Sequence, residues 1–121
     1  FLLAEECQVH PNMKQAIINA TDTDSVVTGL TSGHGGVRGL KSDFTTRYIA
    51  AEFSGTATKE ELTNMSKGTN KLAAVDGDVV NGVVQVGQGL NRLTKVESAQ
   101  EIVTSVISEA QEAIKNVQRF L

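Results

Sequence analysis

The last quarter of the chain constrains it most. Ser98-Ala99-Gln100-Glu101 has the spacing of a capping box, in which a serine side chain meets the early amides of a helix and a glutamate reaches back. From there Val103, Val106, Ala110, Ala113, Val117 and Phe120 recur at alternating spacings of three and four, and Ile102, Ile107 and Ile114 widen the stripe. Each such side chain, once buried, contributes about 1.5–3 kcal/mol. A helix with so broad an apolar face packs on a sheet or on several helices, and the rest of the sequence offers little sheet to receive it. The helix therefore calls for a partner surface.

A second constraint is the stretch from Gly77 to Leu90, in which Gly77, Gly82, Gly87 and Gly89 punctuate a short β-branched run, Val83-Val84-Gln85-Val86. Glycine is used where the backbone takes positive φ or approaches another group closely. The pattern predicts a turn at Asn81-Gly82, an extended apolar segment, and a glycine pair where the backbone meets something else.

The remaining elements are shorter. Val9 to Ala20 reads as a helix with Pro11 in its first turn, where the missing N–H costs nothing. Met13, Ala16, Ile17 and Ala20 fall on one face. Ser25-Val26-Val27-Thr28 has strand composition. Thr31 to Ser42 is the most glycine-dense stretch and carries Arg38 and Lys41. It is neither of the standard phosphate cradles: Leu40 separates Gly39 from Lys41, and Gly33-His34-Gly35 has its next matching glycine one place late. It reads as a mobile or close-packed basic loop. Ser42 or Asp43 caps a helix through Phe53, ended by Ser54-Gly55. Thr58-Lys59-Glu60-Glu61 is another capping box, opening a helix through Val75 that Gly68 bends or interrupts.

Composition excludes several classes. With 121 residues and a formal charge of -3 there is one domain or part of one, and no basic stripe for nucleic acid or an anionic membrane. Phe1-Leu2-Leu3-Ala4 stops at Glu5-Glu6, too short for a signal peptide or a membrane span. The chain opens on Phe1 rather than Met, which suggests a processed or engineered product or a piece of something longer. One cysteine, Cys7, fits a reducing, cytoplasmic setting. Two histidines and one cysteine offer no zinc-ligand spacing, so no metal site is expected. Cys7 and His10 read as a structural pair at a helix start rather than a nucleophile and its base, and the Glu5-Glu6 and Glu60-Glu61 pairs as surface and helix-start carboxylates. Arg38 and Lys41 could grip a phosphate or an acidic partner, or form a solvated loop. The residues describe a mainly α unit with minor β (α+β) and no self-contained catalytic group.

The ordered series Phe1-Leu2-Leu3-Ala4-Glu5-Glu6, His10-Pro11-Asn12-Met13-Lys14, Asp22-Thr23-Asp24, Val37-Arg38-Gly39-Leu40-Lys41-Ser42, and Gly77-Asp78 leading to Gly82-Val83-Val84-Gln85-Val86-Gly87-Gln88 resembles the C-terminal part of the flavin-dependent enoyl-acyl carrier protein reductases. These belong with the nitronate monooxygenases, formerly called 2-nitropropane dioxygenases. The resemblance implies an FMN-binding (β/α)8 TIM barrel with an inserted lid. Residues 1–76 would be the extra helix and lid, and residues 77–121 the return to the barrel mouth and the terminal barrel helix. The upstream barrel, with its flavin-phosphate glycines and catalytic histidine, is absent from this sequence.

By the same resemblance the family's alanine-glycine-glutamine segment falls on Val86-Gly87-Gln88. Gly87 and Gln88 would lie beside the flavin, while Gln85 and Val86 would wall the substrate pocket. Gln85 stands where the reductases often carry methionine, and Ser42 where asparagine is usual. Arg38 and Lys41 would order the lid or contact a nucleotide or carrier-protein phosphate. The implied parent uses FMN and NAD(P)H to reduce an enoyl thioester, and the chain alone is expected to hold no cofactor and to be inactive. The implied partners are the upstream barrel, acyl carrier protein, and a second copy through the exposed apolar helix. Two alternatives stand beside this: a nitronate monooxygenase, and a non-enzymatic helical interaction module.

Overall fold

Helix α1 (Pro11–Asn19) starts where the missing N–H of Pro11 is harmless. The His10 side chain accepts from the Asn12 amide at 3.1 Å in place of a serine or aspartate cap. The computed structural model describes residues 1–33 and 35–120. They form two units, one spanning Val9–Thr94 and the other joining Phe1–Gln8 to Lys95–Leu121.

In the larger unit, α1 is followed by β1 (Ser25–Thr28) and β2 (Val37–Leu40), which pair antiparallel with Ser25 opposite Leu40 and Thr28 opposite Val37. The glycine-dense stretch thus ends in a strand rather than continuing as a loop. Its strand character comes from β1 and from a third extended segment. Leu40 donates to the Val84 carbonyl and Val86 to that of Arg38, at 2.9 and 3.2 Å, which sets Gln85 opposite Gly39.

Helix α2 (Asp43–Glu52) is capped by Ser42, whose hydroxyl accepts from Thr45 N while the Thr45 hydroxyl accepts from Ser42 N. Helix α3 (Lys59–Ser66) opens on the Thr58/Glu61 box, and the glutamate carboxylate accepts from Thr58 N at 2.7 Å. Gly68, at φ +79°, then breaks the helical run, and α4 (Thr69–Ala74) follows it. Phe44 and Tyr48 of α2, Leu62 of α3 and Val83 form a core cluster, with the two rings 5.7 Å apart. Met13 and Ile17 bury the inward face of α1, as their spacing requires.

The turn into the extended segment runs from Asp78 to Gly82, four residues apart, with Gly82 N donating to Asp78 O at 2.9 Å. The Asp78 carboxylate accepts from the Asn81 side chain and amide and from the Val80 amide, and the Asn81 bonds chiefly hold its pKa below the usual 3.8. Any side chain at Gly82 would meet the Ala73 amide and the Asp78 carbonyl at 2.6 Å.

In the smaller unit, Ala4 and Glu97 form a parallel bridge, with Glu5 N donating to Glu97 O at 2.9 Å. Helix α5 (Ala99–Gln118) is capped by Ser98 and Glu101 as the sequence predicts. The Glu6 carboxylate accepts from Ala99 N through both oxygens, at 2.9 and 3.2 Å, placing a negative charge at the positive end of the helix. No residue of α5 is buried. Val106, Ile107, Ile114 and Val117 are all more than half exposed and share a stripe of roughly 140° of the helix circumference with their apolar neighbours.

Candidate functional site

Gln85 and Val86, expected as a pocket wall, lie on the extended segment beside β2. Period-two alternation sends their side chains to opposite sides. Gln85 faces an open cavity of about 290 Å³ whose walls include Thr28, Phe44, Tyr48, Ser66, Asn70 and Val83. Val86 is half-buried, and its amide donates to Arg38 O, so the structure does bring Arg38 to this wall. The guanidinium of Arg38 turns back to donate to the Ser25 hydroxyl at 2.9 Å.

Lys41 is elsewhere. It is exposed, its amide donates to Asp24 O at 2.8 Å, and its side chain borders a second cavity of about 310 Å³ between α1, α2 and Val79-Val80. Two carboxylates, Asp24 and Asp43, line that cavity with it. The pKa of Asp24 is held below 3.8, chiefly by hydrogen bonds from the Thr21 amide and hydroxyl, with the Lys41 charge contributing least. Arg38 and Lys41 therefore do not act as one basic cluster.

Gly87, Gln88 and Gly89 are exposed, and a side chain at either glycine would meet nothing within 4 Å. The expected close approach at this glycine pair is not made by any described residue. Their amides donate to no other described residue. Backbone amides left open in this way can hydrogen-bond the polar edge of a flat ring brought against them. Leu90 anchors the strip, being almost wholly buried, and Asp22 fixes its far end by accepting from Asn91 N and Nδ2 at 2.9 and 2.7 Å.

Three residues matter here that the sequence did not single out. Glu52, the last residue of α2, is buried to 7% exposure, and its carboxylate accepts from Gly29 N, Thr31 N and the Thr31 hydroxyl. Ser32 donates to Gly29 O at 2.9 Å and stands beside the Tyr48 hydroxyl. Burial, followed by the nearby Glu52 charge, pushes the Tyr48 phenol above its ordinary 10.0, against a smaller opposing effect of the Ser32 hydrogen bond. Tyr48 thus stays protonated as a donor at the cavity wall. A glutamate within an amphipathic helix looks solvated in sequence; only the fold-back of residues 29–31 makes it internal.

Among the described residues no group of three histidine, cysteine or acidic side chains could hold a metal ion, and no helix is long and apolar enough to cross a membrane. His34 lies outside the described residues. His10 accepts from Asn12 and packs on Gly77, a structural role at the start of a helix.

Comparison with known proteins adds the wider context. A family model described as nitronate monooxygenase matches residues 1–109. No curated protein matches. Among solved structures, FabK from Thermotoga maritima superposes with a TM-score of 0.90 at 27% identity, over 99% of this chain and 37% of FabK. A methionine-to-alanine mutant of the same FabK superposes with a TM-score of 0.78 at 23% identity, over 99% of this chain and 35% of the mutant, a likeness of fold alone. The chain spans little more than a third of the length of these structures.

Proposed function

The chain belongs to the nitronate monooxygenase family, and from that premise we propose that it forms the lid, return segment and last helix of a flavin-dependent, NAD(P)H-using enoyl-thioester reductase of fatty-acid synthesis. The observation that carries this is the superposition of 99% of the chain on 37% of FabK at a TM-score of 0.90. In this reading residues 1–76 supply the extra helix and lid, and residues 77–121 return to the mouth of a (β/α)8 barrel built by upstream residues of the same cytoplasmic protein.

Bound FMN would supply the two-electron chemistry, relaying a hydride from NAD(P)H to the β-carbon of an enoyl thioester, whose α-carbon would take a proton from a protein or solvent group. The residues of this chain bind and orient. Gly87 and Gln88 offer bare backbone and one amide side chain to the ring, while Gln85 faces the cavity beside it and Val86, with its side chain on the opposite face, ties that wall to Arg38 through its amide. Arg38 stiffens that wall through its carbonyl, and Lys41 stands apart as a surface contact for a phosphate or for acyl carrier protein. Since the catalytic groups come from elsewhere, the chain alone is expected to be inactive.

The description of the matching family favours a second reading, a nitronate monooxygenase consuming oxygen. Gln85 also makes this wall more polar than a fatty enoyl chain requires. The test uses the protein in its natural full-length form. Yellow flavin reduced rapidly by NADH or NADPH, with turnover of an enoyl thioester, is the expected result. Flavin that resists both nucleotides yet supports nitronate-dependent oxygen uptake would replace the reductase by the monooxygenase. A colourless protein would leave a helical interaction module, pairing with another chain or copy through α5.

A further inference from the structure

Of the seven asparagines in the sequence, Asn81 is the one followed by glycine. Asparagine is chemically labile in this setting, because the next main-chain nitrogen can attack its side-chain amide and glycine puts no side chain in the way. The fold cannot avoid the glycine: a Cβ at Gly82 would stand 2.6 Å from the Ala73 amide nitrogen and 2.8 Å from Ala73 Cβ. It also fixes the asparagine. Asn81 is exposed, its Nδ2 donates to Asp78 Oδ2 at 2.9 Å, and its Oδ1 accepts from the Arg47 guanidinium at 3.1 Å. The Gly82 amide donates to Asp78 O at 2.9 Å. Two of these bonds hold the amide that would be attacked, and the third holds the nitrogen that would attack it.

We propose that Asn81 is a site of spontaneous deamidation whose rate is set by opening of the turn from Asp78 to Gly82. In the opened turn Gly82 N gives up its proton to solvent and bonds to Asn81 Cγ. The Cγ–Nδ2 bond breaks, and Nδ2 leaves as ammonia, taking up a proton from solvent. The resulting succinimide ring then adds one water. Cleavage between Gly82 N and Cγ yields aspartate; cleavage at the Asn81 main-chain carbonyl yields isoaspartate, whose main chain runs through Cγ and is one atom longer. Water is the only co-reactant. Either product removes the Nδ2 donor and sets a second carboxylate beside that of Asp78, so that Arg47, whose charge already acts on Asp78, faces both. Isoaspartate also lengthens the turn directly before Val83 and Val84, two buried residues that lead the extended segment onto β2. The inference rests on this turn and holds whichever reaction the protein performs.

The test incubates the full-length protein in mildly alkaline buffer and follows the Asn81 peptide by mass spectrometry, with aspartate and isoaspartate separated by chromatography. A synthetic peptide of residues 78–86 gives the rate without the fold. At about fivefold for each hydrogen bond that must open, the three bonds should slow the intact protein about a hundredfold relative to the peptide. Arg47 is exposed, so Arg47→Ala removes one bond and leaves the core intact; it should speed the modification about fivefold. Asp78→Ala removes the carboxylate that gathers the turn and should bring the rate nearer that of the peptide. Circular dichroism verifies the fold of each variant, and the Arg47→Ala arm decides the matter if Asp78→Ala does not fold. Three results would each overturn the proposal: a native protein that deamidates as fast as the peptide, an Asn81 that stays unmodified in both variants, or a slower reaction in Arg47→Ala, which would make the guanidinium a promoter of attack rather than a clamp.

Discussion

Glu52 holds Thr31 by two hydrogen bonds from one carboxylate oxygen, 2.7 Å to its amide and 3.1 Å to its hydroxyl, while the second oxygen takes the Gly29 amide at 3.0 Å. A buried anion is stable here because three donors replace its water. This arrangement fixes the loop that sets Ser32 beside Tyr48 at the cavity rim. Glu52→Ala strands two buried or half-buried amides and should cost roughly 3 kcal/mol. Glu52→Gln keeps one acceptor and should cost less. Urea unfolding of the two variants checks the order; equal and negligible losses would show that the carboxylate is not what holds the loop.

Tyr48 offers a spectroscopic check of the same corner. It is the one tyrosine of a chain without tryptophan, so phenolate absorbance reports it alone. Burial first, and the Glu52 charge second, raise its pKa above 10.0. The folded state thus binds this proton more tightly than the unfolded state. Its stabilising effect is complete below pH 10, and it is lost as pH climbs through the raised value. Ultraviolet titration should place the midpoint above that of free tyrosine, and Glu52→Gln should lower it. A midpoint at the free value, unmoved by the substitution, would contradict the assigned environment.

What was legible in the sequence was what local chemistry decides. The Thr58/Glu61 and Ser98/Glu101 boxes, the proline start of α1 and the break at Gly68 each depend on residues within one helical turn, and each is found where its pattern places it. β2 was hidden because its four residues, one of them glycine, become a strand only between β1 and Val84–Val86. The same strand geometry separates Arg38 from Lys41: three residues apart on an extended chain, they point to opposite faces, although in sequence they look like one basic patch. Glu52 was hidden for a third reason, since its partners lie more than twenty residues earlier and nothing near it in sequence distinguishes it from a solvated carboxylate.

Gly77 carries two independent demands. Its φ is +76°, and an added side chain would run into the His10 ring. Gly77→Ala should therefore destabilise by about 2 kcal/mol or more, part from the left-handed backbone and part from the clash. Adding His10→Ala removes the clash and not the backbone strain, so the double variant should be more stable than the sum of the two single losses implies. Strict additivity in thermal unfolding would mean that the ring and the glycine do not meet.

The stripe on α5 gives the prediction that bears most on the proposed whole. Ile107 and Ile114 are 54% and 60% exposed, so in the chain by itself Ile107→Lys or Ile114→Lys should change stability by about 0.5 kcal/mol or less. If α5 is the last helix of a barrel, its stripe is covered in the full-length protein. Each lysine then forfeits roughly 2 kcal/mol of apolar burial and adds the cost of desolvating a charge. The expected outcome is a near-unchanged unfolding curve for the chain alone, set against a lowered Tm and weakened flavin retention in the full-length protein. Equal, small shifts in both would mean that the face stays open, and the barrel assignment of α5 would fall with it.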